Sequence, residues 1–198
     1  MFLQVKEPRQ LSAVLIDANI ARREMLQLTL SSRDINLVDI CADVDAALAS
    51  GSAPALFLFY AETVDQQSLA DLATLRASCD TAILVLLETA AQNDIDLLTD
   101  NGADHVLPVG LQSDRFYVAT ASALAQSRKR QRLETETMGA RQALEDTKRI
   151  ARAKMILIAR HGIAEDEAHR RIQKLSMERN LPLAEMAQKI IDAEDLLC

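Results

Sequence analysis

The sequence predicts an α/β domain, a doubly wound five-stranded parallel sheet, followed by a coiled-coil helix and a small all-α domain of three helices. Three observations carry that prediction. Apolar runs of strand length alternate with helical patterns through the first part of the chain. Between residues 112 and 160 no proline and a single glycine, Gly139, interrupt a stretch of good helix formers. Beyond it, three short amphipathic patterns are separated by Gly162 and by Leu181-Pro182.

The elements follow in order. Ala13–Asp17 is an apolar run ending in an acid, and Ile20, Met25, Leu26, Leu28 and Leu30 form a helical pattern behind it. Ile35–Cys41 is rich in β-branched residues, and Asp43–Ser50 is a short helix stopped by Gly51. Pro54–Tyr60 is continuously apolar, Val64–Cys79 returns to helical spacing through Leu69, Leu72 and Leu75, and Ala82–Leu87 is again a strand. Asp94–Asn101 is a helix with Gly102 just past its end, and Asp104–Val109 is the last strand. Strands without polar alternation, separated by helices, belong to a parallel sheet covered on both faces. Five such units in about 110 residues make a flavodoxin-like fold.

Composition narrows the function. The chain has 198 residues, 49% hydrophobic and 3% aromatic, with no Trp. Its apolar stretches Ala55–Ala61 and Ala82–Leu87 fall far short of the roughly 18 residues of a membrane span. No basic-then-apolar leader opens the chain, so a cytoplasmic location and no membrane partner are expected. Cys41, Cys79 and Cys198 are scattered without a C-x-x-C and are expected as reduced thiols, Cys41 buried in a strand. The five glycines make no phosphate-cradling loop, and His105, His161 and His169 lack metal-ligand spacing. We therefore expect neither an enzyme nor a cofactor or metal.

Charge separates the two ends. Residues 128–198 hold 15 Lys/Arg against 12 Asp/Glu, a net of +3, whereas residues 1–127 hold 7 against 17, a net of −10. Such a split points to a polyanionic partner for the C-terminal part only.

Residues 11–122, after a tail of residues 1–10, resemble the receiver domains of two-component response regulators, the CheY-like form of this fold. The resemblance lies in Val14-Leu15-Ile16-Asp17, the Pro54–Tyr60 strand and Gly102-Ala103-Asp104. It implies an acid pair after strand one, a phosphoacceptor Asp ending strand three, a hydroxyl after strand four and a Lys after strand five. Clustered carboxylates would hold Mg²⁺, and one would accept the phosphoryl group. This chain has Asp17-Ala18 for the acid pair, Tyr60 for the phosphoacceptor, Leu86 or Leu87 for the hydroxyl, and Val109, followed by Gly110, for the Lys. A pseudo-receiver with a degenerate phosphorylation site at Asp17, Tyr60 and Val109 is expected. Asp17 then serves as a lone loop acid, with capping of the next helix as its expected role.

Residues 123–147 are expected to form a helical coiled-coil linker. Leu133, Thr137, Ala140, Leu144, Thr147 and Ala151 recur at alternating spacings of four and three, a thin, partly polar seam. It predicts a homodimer of modest strength, against the alternative of one amphipathic helix packed on its own domain.

In residues 148–198, Ile150, Ala153 and Leu157 share a face of a first helix. A second opens on Glu165-Asp166-Glu167 and buries Ala168, Ile172 and Leu175, and a third carries Leu183, Met186, Ala187, Ile190 and Ile191. Ala153-Lys154, His161-Gly162, Glu167-Ala168, Ser176-Met177 and Arg179-Asn180 in this frame resemble the ANTAR domain of the AmiR/NasT antiterminator family. Met155 departs from it, standing where many members have Gly, and is expected to affect packing. The resemblance implies binding to hairpins in a leader transcript that prevents a terminator from forming, control by a ligand-sensing partner protein, and a link to nitrogen metabolism. Lys154, Arg152, Arg171 and Lys174 are the first candidates for RNA contact, with Arg149, Arg179, Arg170 and His161 next. The competing reading is a protein-interaction adaptor whose basic face is incidental.

Overall fold

The computed structural model describes residues 11–31, 35–89, 91–109 and 113–195. The expected tail 1–10, Gly110 and Cys198 lie outside them. The chain divides between Arg132 and Leu133 into two compact units.

The first unit alternates strands and helices: β1 (Leu11–Ile16), α1 (Ile20–Ser31), β2 (Ile35–Cys41), α2 (Val44–Ala49), β3 (Leu56–Ala61), α3 (Gln66–Ser78), β4 (Ala82–Leu87), α4 (Gln92–Asp100) and β5 (His105–Pro108), then the start of α5 (Ser113–His161). The sheet order is β2-β1-β3-β4-β5, and every pairing is parallel. Successive side chains point to opposite faces, so each strand supplies two cores. Val14, Ile16, Phe57, Phe59, Ile83 and Val85 pack with Leu72, Leu75 and Leu98 of α3 and α4. Ala13, Leu15, Leu58 and Leu84 pack with Leu26 and Leu30 of α1 and Phe116, Ala119 and Ala123 of α5. Burial on both faces is the reason these strands read as unbroken apolar runs.

The helical pattern after β1 forms α1, in which Leu26 and Leu30 are buried while Ile20, Met25 and Leu28 are exposed. One local expectation is corrected. Asp17 does not cap α1. Asn19 does, its Oδ1 accepting the Arg22 amide at 3.1 Å. Asp17 accepts the amide of Asn19 instead, at 2.9 Å.

At the opposite end of the sheet, Gly102 takes φ +116°, and a Cβ there would lie 2.7 Å from Cβ of Arg76. That close approach lets the Arg76 guanidinium reach the Gly102 carbonyl (2.8 Å), the Thr81 carbonyl (2.9 Å) and Asp104 (2.6 Å). Asp104, itself buried, also binds Arg130 of α5 and accepts the Ile83 amide at 2.9 Å. Ser127, Arg130 and Gln131 all donate to the Asp80 carbonyl. Contacts of α5 with the first unit thus continue to Gln131.

The second unit comprises the rest of α5, α6 (Glu165–Arg179) and α7 (Leu183–Asp195). Its core is Ala153, Leu157, Ala168, Ile172, Met186, Ala187 and Ile191, flanked by Ile150, Leu175, Leu183 and Ile190. Gly162, at φ +62°, ends α5. Asn180 ends α6 in the left-handed region, the Leu181 amide donates to the Ser176 carbonyl, and the Ser176 hydroxyl donates to the Leu181 carbonyl at 2.6 Å. This closure turns the chain so that Pro182 can open α7. Leu133, Thr137, Ala140, Leu144, Thr147 and Ala151 are all exposed. The hydroxyls of Thr137 and Thr147 donate to the carbonyls of Leu133 and Ala143, so both threonines satisfy their polar groups within the helix. Among the described residues, no helix is long and apolar enough to cross a membrane.

Candidate nucleic-acid interface

The candidate basic residues sit on two helices of the second unit. On α5, Arg149 pairs with Asp146 of the preceding turn at 3.5 Å. Arg152 meets Asp195 at 3.3 Å and Arg160 meets Glu194 at 2.7 Å, both acids lying at the C-terminal end of α7. Lys154 lies beside buried Ala153, its side chain mostly covered, and its ammonium binds Glu165 in the first turn of α6. That bond holds the Glu165 carboxyl below the usual carboxylate range, through the hydrogen bond first and the charge second. The acid also lies where the positive end of the α6 dipole favours it.

On α6 the pattern differs. Arg170 donates to the Asp166 carbonyl of its own helix, and Lys174 stands 3.8 Å from Glu178, also on α6. Arg171 and Arg179 are exposed and make no ion pair among the described residues, and His161 is exposed at the end of α5. On α5 the candidates Arg152 and Lys154 are thus engaged by acids of other helices, as is Arg160, whereas Arg149 and the basic residues of α6 are left to solvent or to their own helix. Met155, expected to matter for packing, is exposed, as is Met177. Their methyl groups add apolar surface beside the charges rather than filling the core.

Asp17 and Tyr60, two of the positions expected to form a degenerate site, lie at the C-terminal ends of β1 and β3, where the strand order reverses and ligands of such sheets bind. A cleft of about 550 Å³ opens there, lined in part by Asp17, Arg22, Tyr60 and Glu62. Asp17 is 2% exposed. Arg22 of α1 grips it with two bonds, Nε to Oδ2 at 2.7 Å and Nη2 to Oδ1 at 2.8 Å. Its remaining nitrogen binds Glu62 at 2.7 Å, and the guanidinium stacks 3.8 Å above the Tyr60 ring. Hydrogen bonding to Asp17 holds Arg22 still more firmly in its charged form. Burial pushes the Tyr60 phenol up, with the nearby guanidinium opposing. Leu86 and Leu87 are buried in β4, and Val109 follows β5 with its amide bonded to the Leu87 carbonyl at 2.7 Å. Both oxygens of the one inner carboxylate are taken by a fixed organic cation. This donor set does not fit a magnesium ion, which needs carboxylate oxygens free for near-octahedral coordination.

A family model described as the ANTAR domain matches residues 139–191. The chain carries an ANTAR domain. The match opens at Gly139 on α5 and closes at Ile191 on α7, so it takes in the whole core of the second unit. ANTAR domains are the RNA-binding modules of antitermination regulators, and this chain joins one to a receiver-like fold. No curated protein matches the chain. Among solved structures, a LuxR-family two-component response regulator from an Aurantimonas species is 15% identical, with 59% of this chain and 86% of that one covered and a TM-score of 0.52. A two-component response regulator from Clostridium difficile is 16% identical over 59% of this chain and 97% of that one, with a TM-score of 0.50. A CheY-like receiver domain protein from Methanospirillum hungatei is 15% identical over 60% and 97%, also at 0.50. At these identities the likeness shows the fold of the first unit.

All eight candidate RNA contacts lie within the ANTAR domain's span. Sequence reasoning missed the acids of other helices that engage two of them, Arg152 and Lys154, and it missed Arg22. The signals were faint: Arg152 and Asp195 are 43 residues apart, and Arg22 looks like any charge in the first turn of an amphipathic helix.

Proposed function

We propose that this protein is a cytosolic transcription antitermination regulator whose ANTAR domain binds paired hairpins in leader transcripts and prevents a terminator from forming. The observation that carries the reading is the ANTAR match over residues 139–191, with basic side chains on the surface of α5 and α6. Single-stranded loops are read by splayed bases and clamped phosphates. Arg171, Arg179 and Lys174 supply charge for phosphates, and the guanidinium planes of the two arginines, or His161, supply stacking surfaces where no Phe, Tyr or Trp is present. Lys154, Arg152, Arg149 and Arg170 extend the basic surface.

Control in this reading does not come from phosphorylation. The one inner acid is occupied by Arg22, so a protein partner that senses a ligand would hold the regulator and release it, and the exposed seam from Leu133 to Ala151 would join two copies. Genes of nitrogen metabolism are the expected targets. The test is titration of the full-length protein with a leader RNA of two stem–loops and with its scrambled version. Binding should weaken as salt rises and fall about tenfold in Arg171→Ala and Lys154→Ala, as expected for lost charge-assisted contacts. Equal affinity for the scrambled RNA would overturn the reading.

A further inference from the structure

The unequal state of the two basic helices carries a consequence for how RNA gains access. Arg152 and Arg160 stand two turns apart on α5, and adjacent acids of α7, Asp195 and Glu194, engage both. These ion pairs join α5 to α7 outside the apolar core, which is built from Ala153, Leu157, Met186, Ala187 and Ile191. Arg152 and Asp195 are each more than half exposed, so water screens their attraction and little folding stability depends on it. Two carboxylates beside two guanidiniums do, however, place negative charge where phosphates of a bound RNA would otherwise meet α5. We infer that Glu194 and Asp195 act as an internal phosphate mimic, occupying part of the RNA-binding face of the free ANTAR domain and lowering its affinity until RNA displaces them. The inference rests on the proposed RNA binding and names the regulation of that same face.

The mechanism is competition. A polyanion arriving at α5 must break the Arg152–Asp195 and Arg160–Glu194 pairs and leave two carboxylates near its own phosphates. The fraction of molecules with the pairs open then scales the apparent affinity. Arg171 and Arg179 of α6 have no such occupant among the described residues and remain open for first encounter. RNA that contacts α6 alone is not penalised, whereas RNA that must also reach α5 is. The device therefore weakens ligands that span both helices relative to those held by α6 alone.

The experiment compares full-length wild type with Glu194→Gln/Asp195→Asn in binding to a synthetic RNA of two consecutive stem–loops across a salt series. A matched control, Glu185→Gln/Asp192→Asn, removes two charges from the same helix at positions without an ion pair among the described residues. Far-ultraviolet circular dichroism and thermal melting establish that each variant is folded. The Glu194/Asp195 variant should bind about three- to tenfold tighter at low salt, the range set by one exposed pair and one partly covered pair. Its affinity should also fall more steeply with salt, because released counterions replace released carboxylates. The control should change affinity less than twofold. Tighter binding by the variant when wild type binds weakly or not at all also supports the mimic. Wild-type binding with equal affinities, or an equal gain in the control, overturns the mimic and leaves the function standing. Failure of both wild type and variant to bind overturns the function and the mimic together.

Discussion

Arg22 is held by three contacts of different kinds: a bidentate bond to buried Asp17, a bond to exposed Glu62, and stacking on Tyr60. The first dominates, because Asp17 is nearly inaccessible to water and both its oxygens bond to that guanidinium. Arg22→Met keeps the bulk of the stem but leaves a buried carboxylate without its cation, at a cost of about 2–4 kcal/mol. Urea unfolding should show that loss, and Arg22→Met/Asp17→Asn should recover part of it, since the double exchange removes the unpaired charge as well. Full destabilisation in the double variant would contradict the coupling. Tyr60 offers a second, pH-dependent reading. Its phenol is raised by burial, so the neutral form is favoured in the folded chain. The stabilisation this reflects is fully present below the ordinary value of about 10 and is lost as pH rises through the higher folded value. Ultraviolet titration should therefore show one phenol ionising later in the folded than in the unfolded protein, and Tyr60→Phe should abolish that late component.

At the scale of elements, the sheet was legible and the surfaces of its helices were less so. β3 and β4 are buried along their whole lengths, and unbroken apolar runs of that length have few other uses. α1 has five apolar residues, but a helix lying on a sheet buries one stripe, here Leu26 and Leu30 at i and i+4, and sequence alone does not say which stripe wins. The basic residues of the candidate interface could be found because charge is local to a sequence. Their partners could not, because Glu194 and Asp195 reach α5 only through the packing of α7. The same holds at the loop before β5, where Gly102 looks like an ordinary helix stop but also makes room for the side chain of Arg76. Gly102→Ala would place a methyl group against Cβ and Cγ of that side chain and force an L-residue to a positive φ. We expect a loss of about 2–3 kcal/mol in denaturant unfolding, well beyond an exposed Gly-to-Ala change. An unchanged midpoint would show that the Arg76–Asp104–Arg130 cluster can shift without cost.

For the whole molecule, the exposed seam is the proposed site at which two copies pair. Leu133 and Leu144 are its two large apolar residues, and the back-bonded threonines between and beyond them contribute methyl groups. A seam so thin gives an interface sensitive to concentration. Leu133→Ala/Leu144→Ala should weaken self-association by about tenfold or more in sedimentation analysis, while leaving the melting of the separate domains nearly unchanged. Identical sedimentation of wild type and variant at every concentration would remove the seam as the site of pairing. Finally, the grip of Arg22 bears on whether an acid placed at the end of β3 could serve phosphotransfer. Exchanging Tyr60 for Asp would remove the ring on which Arg22 stacks and hand the same guanidinium another carboxylate to neutralise, so an acid pair would be present in name while its charge was already spoken for. Phosphotransfer would need changes at Ala18, at Leu86 or Leu87 and at Val109 as well, while the exchange at Tyr60 alone removes a ring contact of Arg22. A single added acid therefore redistributes the partners of one guanidinium and leaves no free cluster of oxygens for a metal ion.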